Sequence, residues 1–325
     1  MSGLKRKAAT AGAAAFKLSR HREHIKMRRS AELGDAVSAS LAMDLSAADA
    51  EASIEAYMDE DQVYEQAVQR VRHEIDLGYP IQDVPRQYLP NFDFSRCVAV
   101  VVVGQDGLVA NTAKYVDGLP MVAINPDPDR FDGVLLPFKV NQARSALRSV
   151  INERAHTRRI TLARVDLNDG QHMLAFNDLF IGAASHVSAR YTLRVMQSAE
   201  PQSSSGVLVS TGAGASGWMS SVYNAAEAFA KQLGLSRSAR PAIQWEDRRL
   251  LWAVREPFIS RHSKAGLVIG SVGENEPIVL ESLMPHGGVI FSDGIEQDYL
   301  EFNSGTVATI GVAQEQATLV VGSSI

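Results

Sequence analysis

The sequence contains a single cysteine, Cys97, among 325 residues. That excludes an intramolecular disulfide and a cysteine-based zinc cluster, and it fits a reducing, cytoplasmic setting. No apolar run approaches the roughly 20 residues of a membrane helix, so no membrane partner is expected. A basic excess is missing too. The formal net charge is −5, which gives no support to nucleic-acid binding, a function usually marked by a basic face. His21 and His24 lie one turn apart around Glu23 without the HExxH spacing, so they read as solvated side chains and not as metal ligands. No period of solenoid type runs along the chain.

What remains is an ordinary globular composition, 46% hydrophobic and 21% charged, enough for one large or two medium domains. Charge is segregated at the start. Residues 1–30 carry nine Lys/Arg and one acid, and residues 31–69 carry ten acids and no base. An organelle transit peptide has that basic, alanine-rich look. The plainer expectation is a helical extension over 1–45, a solvated basic helix facing an acidic one.

Residues 46–77 predict a helix, with Val63, Ala67, Val68 and Val71 at helical spacing. Ser46 and Asp49 suit a capping box, and Gly78 and Pro80 end the segment. Near residue 97 the texture changes. CVAVVVV is apolar without alternation, as a strand covered on both faces must be, which favours a parallel sheet between helices. PMVAINP (120–126) reads as a second buried strand, GVLLPF (133–138) as a third, and 139–154 as an amphipathic helix with Val140, Ala143, Leu147 and Val150 on one side.

Beyond about residue 158 short, partly alternating segments dominate: RITLARVDL, HMLAFNDLFIG, ARYTLRVMQ and GVLVST. They predict antiparallel strands. One helix (218–234) interrupts them, then LLWAVRE, GLVIGSV, PIVLESL, GVIFSD, TVATIGV and ATLVVG continue the pattern. The expected architecture is an α/β domain with a parallel, Rossmann-like sheet (46–156), followed by a mostly β, sandwich-like domain (157–325).

Three motifs carry chemistry. Gly104-Gln105-Asp106-Gly107 follows the valine run. Asp-Gly suits a hairpin turn, but LVANTAKY lacks the β character of a second strand, and a helix starting at Asn111–Tyr115 fits better. Strand, glycine-rich loop and helix offer backbone N–H groups to phosphate. An acid there needs a cation or a proton to take. In STGAGASGW (210–218), Gly212, Gly214 and Gly217 satisfy GxGxxG. The next acids, Glu246 and Asp247, lie about 30 residues on, where a Rossmann site wants one at roughly 20. That argues against an ordinary dinucleotide site and leaves open another close backbone approach to a ligand. Third, Asn177-Asp178 sits between apolar segments. It is either a turn or a buried polar pair suited to ribose hydroxyls.

Together and in this order, the motifs resemble the ATP-NAD kinase family, whose superfamily also holds diacylglycerol and sphingosine kinases. GQDGL (104–108) resembles the family's GGDGT loop, ND (177–178) its NE dipeptide, and STGAGASGW its STPTGSTAY segment. VAINP, SARYTLRV (188–195) and EPFISRHS (256–263) resemble smaller family segments. The resemblance spans about residues 60–320. It implies an acceptor site in a cleft between the domains, NAD and ATP as substrates, Mg²⁺ with the ATP, and a homodimer or homotetramer. It implies that Asp106 is the general base for the 2′-hydroxyl of the adenosine ribose, with Gly104, Gln105, Gly107 and Asn111 around the ATP phosphates. Asn177, Asp178, Thr211, Ser216, Gly217 and Trp218 would line the NAD site, the indole stacking on a base or on nicotinamide.

The departures mark a divergent branch. Gln105 and Leu108 replace a glycine and a threonine, Asp178 is a methylene shorter than glutamate, and Ser205 stands where an acid is common. A glycine-rich first strand and a closing helix are not evident. A lipid or sugar alcohol as acceptor, and a non-catalytic nucleotide-binding regulator, are the competing readings.

Overall fold

A computed structural model describes residues 12–17, 47–235 and 240–322. The expectations for His21, His24 and Ser46, and for most of the basic N-terminal stretch, lie outside them. The chain divides into two compact units, residues 1–157 with 319–325, and residues 158–318.

The first unit is built on a parallel sheet. Its strands are β1 (Gly12–Lys17), β2 (Ile81–Pro85), β3 (Cys97–Val103), β4 (Pro120–Asn125) and β5 (Phe138–Lys139). β1 pairs with both β2 and β3, β3 with β4, and β4 with β5, every pair parallel. The helices are α1 (Ala47–Glu74), α2 (Asp106–Ala113) and α3 (Ala143–Ile151). Val100 to Val103 are at most 1% exposed, so both faces of β3 are covered and the unbroken apolar run has its explanation. Val101, Val103, Val122 and Ile124 pack with Val71 of α1, with Ile75 in the turn that follows it, and with Ala143, Ala146 and Leu147 of α3. Each such Val, Ile or Leu side chain contributes about 1.5–3 kcal/mol by burial.

Several expectations are corrected here. Residues 12–17 form a strand beside β3, not part of a helix. Val63 is exposed, and the stripe of α1 that faces the sheet runs through Tyr64, Ala67, Val68 and Val71 and continues to Ile75 in the turn beyond. Of GVLLPF only Phe138 joins a strand, because a turn at Gly133–Leu136 occupies the rest. Helix α2 begins at Asp106 itself, five residues before Asn111.

The second unit is a two-sheet β structure. Its strands are β6 (His156–Leu167), β7 (His172–Ala175), β8 (Asp178–Ala183), β9 (Ala189–Val195), β10 (Ser198–Ser204), β11 (Val207–Ser210), β12 (Arg249–Val254), β13 (Ile269–Gly273), β14 (Ile278–Ser282), β15 (Gly288–Ser292), β16 (Tyr299–Glu301) and β17 (Val307–Val321). One sheet has the order β10-β9-β14-β17, with β6 on β17 and β7 on β6. The other has the order β13-β12-β11-β8-β15-β16. Inward residues of both sheets share one core, among them Tyr191, Leu193, Ile181, Val209, Trp252, Ile290 and Phe302. Helix α4 (Trp218–Gln232) covers the outer face of the second sheet, with Met219 packed on Leu208, Leu251 and Ala253. HMLAFNDLFIG is two strands broken at Phe176-Asn177, while TVATIGV and ATLVVG are one. The last residues of β17 belong to the first unit, where Val320 joins the core. Among the described residues no helix is long and apolar enough to cross a membrane.

Candidate active site

In the first unit, β3 delivers the chain to the GQDG loop. Gln105 is the exposed N-cap of α2 and Asp106 its first residue. The Asp106 carboxylate spans to the 133–136 turn: Leu135 N–H donates to Oδ1 at 2.8 Å and Val134 N–H to Oδ2 at 3.2 Å. This acid therefore holds two segments of backbone together, whatever else it does. Gly104 N–H donates to Ile124 O at 3.4 Å, continuing the ladder between β3 and β4, so this expected phosphate donor already has a partner. Gly107 is exposed, and a Cβ built there meets nothing within 4 Å. Leu108 is 2% exposed, a core side chain and not a loop contact. Asn111 is buried, and its Oδ1 has no hydrogen-bond partner among the described residues.

Beside the loop lies a pocket lined by Glu60, Asp61, Tyr64, Gly104, Gln105, Pro126, Asp127 and Phe131. Arg130 pairs with Glu60 at 3.1 Å and approaches Asp127 at 3.8 Å. Buried Asn125, from the VAINP segment, organises one wall: its Nδ2 donates to Phe131 O at 2.8 Å, and its Oδ1 accepts from Asp127 N at 3.0 Å. Sequence reasoning recognised the segment but gave Asn125 no task.

In the second unit the Asn177-Asp178 pair stands at the entry to β8. Asp293, at the end of β15, accepts from Phe176 N–H at 3.1 Å and from Asn177 N–H at 2.6 Å, and its own N–H donates to Asp178 O at 3.0 Å. Thr211 N–H donates to Asn177 O at 2.9 Å, and its hydroxyl donates to Phe176 O at 2.6 Å and accepts from Gly214 N–H. The structure thus brings Asn177, Asp178 and Thr211 together. Burial, then the neighbouring charge of Asp293, pushes the Asp178 carboxyl up to about 7. Asp293 was missed, although an acid followed by glycine at the end of a buried strand was a visible signal.

The glycines of STGAGASGW serve close approach. A Cβ on Gly214 would lie 2.2 Å from Asn177 O, and one on Gly212 would lie 1.9 Å from Gln244 O. The first two glycines of GxGxxG are packing requirements here, whereas a Cβ on Gly217 would meet only an ordinary 3.4 Å contact with Gly214 O. Ser216 and Gly217 are exposed at the start of α4. Trp218 stacks on Phe180, ring centres 5.5 Å apart at 12°, and the Arg255 guanidinium lies 5.2 Å from the indole centre. Part of the aromatic surface expected for a ligand is therefore covered by Phe180.

A parallel α/β unit followed by a mostly β, two-sheet unit is the fold of the NAD kinases. Among solved structures, the crystal structure of yeast NADH kinase complexed with NADH superposes with a TM-score of 0.57 at 14% identity, covering 97% of this chain and 84% of that chain. At that identity the likeness speaks for the fold. No protein-family model matches the sequence, and no curated protein matches it.

Proposed function

We propose that the protein is a kinase that transfers the γ-phosphoryl group of ATP to the 2′-hydroxyl of the adenosine ribose of NAD(H), forming NADP(H). The observation that carries this reading is the buried Asp178 at the entry to β8, beside Asn177, Asp293 and Thr211 and two residues from the Phe180–Trp218 stack. Polar groups converging within apolar and aromatic walls suit a nucleoside. The solved neighbour is a complex with NADH, which supports the same class of acceptor.

Asp106 supplies the base in this reading. The backbone bonds from Val134 and Leu135 fix its carboxylate, and each oxygen keeps a further lone pair for the ribose proton. As that proton moves to Asp106, the ribose oxygen bonds to the γ-phosphorus, the bond to the bridging oxygen breaks and ADP leaves. Positioning and charge neutralisation dominate such a transfer. Among the described residues no three His, Cys, Asp or Glu side chains form a metal cage. In the pocket beside Gly104 and Gln105, Glu60 and Asp127 already face Arg130, so a hard cation there would be held mainly by the ATP phosphates. Mg²⁺ would supply charge neutralisation there.

The test is to incubate the full chain with ATP, Mg²⁺ and either NAD or NADH, and to measure NADP(H) formation. Asp106→Asn is expected to lower the rate at least 100-fold. Phosphorylation of other alcohols but never of NAD(H) would overturn the acceptor assignment. One observation favours a second reading, a nucleotide-binding protein without turnover: Asp106 has a structural task already. NADH binding with no phosphoryl transfer from any donor would establish it.

A further inference from the structure

The aromatic stack of the second unit is more elaborate than a core needs. Its floor is glycine: a Cβ on Gly182 would come within 2.5 Å of the Phe180 ring, and one on Gly206 within 2.7 Å. Phe180 therefore lies directly on backbone, and Trp218 stacks over it. Trp218 is half-buried, so part of the indole remains accessible. Arg255 flanks both rings, 5.2 Å from the Trp218 centre and 6.0 Å from the Phe180 centre. Its backbone is pinned, Arg255 N–H donating to Gly206 O at 2.8 Å and Arg255 O accepting from Ser205 N–H at 2.9 Å. Its side chain is weakly neutralised. Among the described residues its ion partner is Glu256, at 3.8 Å, and that side chain is 69% exposed. Such a surface pair contributes little, and aromatic rings attract a cation without cancelling its charge.

Asp178 and Phe180 lie on the same face of β8, about 7 Å apart along the strand. This face thus presents carboxylates, an aromatic surface and a guanidinium in close succession. The Asp293 carboxylate repels an anion, whereas a guanidinium presents paired donors that match phosphate oxygens. We propose that Arg255 is a phosphate-recognition residue of the acceptor site, selecting nucleotides over nucleosides while the base lies on Trp218. This rests on the reading above, that this face receives the acceptor.

The experiment titrates the full chain with AMP and with adenosine, following tryptophan fluorescence and calorimetric heat. Trp245 and Trp252 also fluoresce, so Trp218→Phe identifies the responding indole. The wild type is expected to bind AMP at least tenfold more tightly than adenosine, with a fluorescence change that Trp218→Phe abolishes. Arg255→Ala is expected to weaken AMP at least tenfold and adenosine less than twofold, and Arg255→Lys to recover part of the difference. Equal weakening of both ligands in Arg255→Ala means that the arginine only steadies the indole, and overturns the proposal. So does an unchanged AMP preference, a failure of AMP to bind, or a fluorescence change that survives in Trp218→Phe. The two readings fail separately. NADP(H) formation with an unaltered AMP-to-adenosine ratio in Arg255→Ala keeps the kinase and removes the arginine's role. Loss of that ratio with no NADP(H) formed does the reverse.

Discussion

Burial, and then the neighbouring Asp293, raise the Asp178 carboxyl from 3.8 to about 7. An acid whose folded pKa exceeds its unfolded value binds its proton more tightly in the native state. Native stability therefore falls as pH rises from about 4, and the loss is complete above about 7. The ceiling is about 4 kcal/mol, at about 1.4 kcal/mol for each pH unit separating 3.8 from about 7. The wild-type melting temperature is expected to drop between pH 5 and 8, and Asp178→Asn to flatten that drop, as read by thermal denaturation in matched buffers. Asp106 behaves differently. An asparagine there keeps one acceptor for Val134 or Leu135 and loses the other, so Asp106→Asn is expected to lower the melting temperature by a few degrees as well as the rate. Affinity for NADH separates the two effects, because a folded, binding and inactive variant isolates the chemical step. Sequence alone singled out Asp106 but not its second task, since the amides it accepts from lie 28 and 29 residues away.

At the level of elements, glycine divides into two kinds. Gly214 is in contact with Asn177 backbone, so Gly214→Ala is expected to destabilise by at least about 1–3 kcal/mol. Gly107 lies in the first turn of α2 with open space around its Cβ direction, and Gly107→Ala is expected to leave stability unchanged or raise it by up to about 1 kcal/mol. Chemical denaturation distinguishes them. A stable Gly107→Ala protein that turns over poorly would locate a close nucleotide approach at the loop. Some elements were legible because their physics is local. The valines of β3 announce a strand buried on both faces, and α3 declares its apolar side. Others hide. β10, SAEPQSS, buries Glu200, Gln202 and Ser204, and these polar residues succeed only through partners such as Leu267 N–H on Glu200 and Tyr191 on Ser204. β1 hides because GAAAFK sits in a basic, alanine-rich stretch that favours helix by composition. The three motifs were legible as a set because their order is a property of the chain, whereas Asp293, Phe180 and Arg255 gather around Asp178 and Trp218 only through strand pairing.

For the molecule as a whole, the distribution of the chain between its units matters more than its composition. Val320 is 1% exposed in the core of the first unit, although the segment that precedes it, 158–318, forms the second. Val320→Asp places an unpaired charge in that core and is expected to cost several kcal/mol. Its footprint in hydrogen exchange should fall on β3 and β4, with β8 and β11 protected as in the wild type. Because β17 runs back to the first unit, the order of synthesis and the order of completion are opposed. On the ribosome the residues of β3, α2 and β4 emerge first, yet their sheet waits for residue 320, while the second unit is a continuous segment that can close as it emerges. The nascent first unit would then expose its valine strands until residue 320 is made, a natural point for chaperone engagement and for aggregation when synthesis stalls.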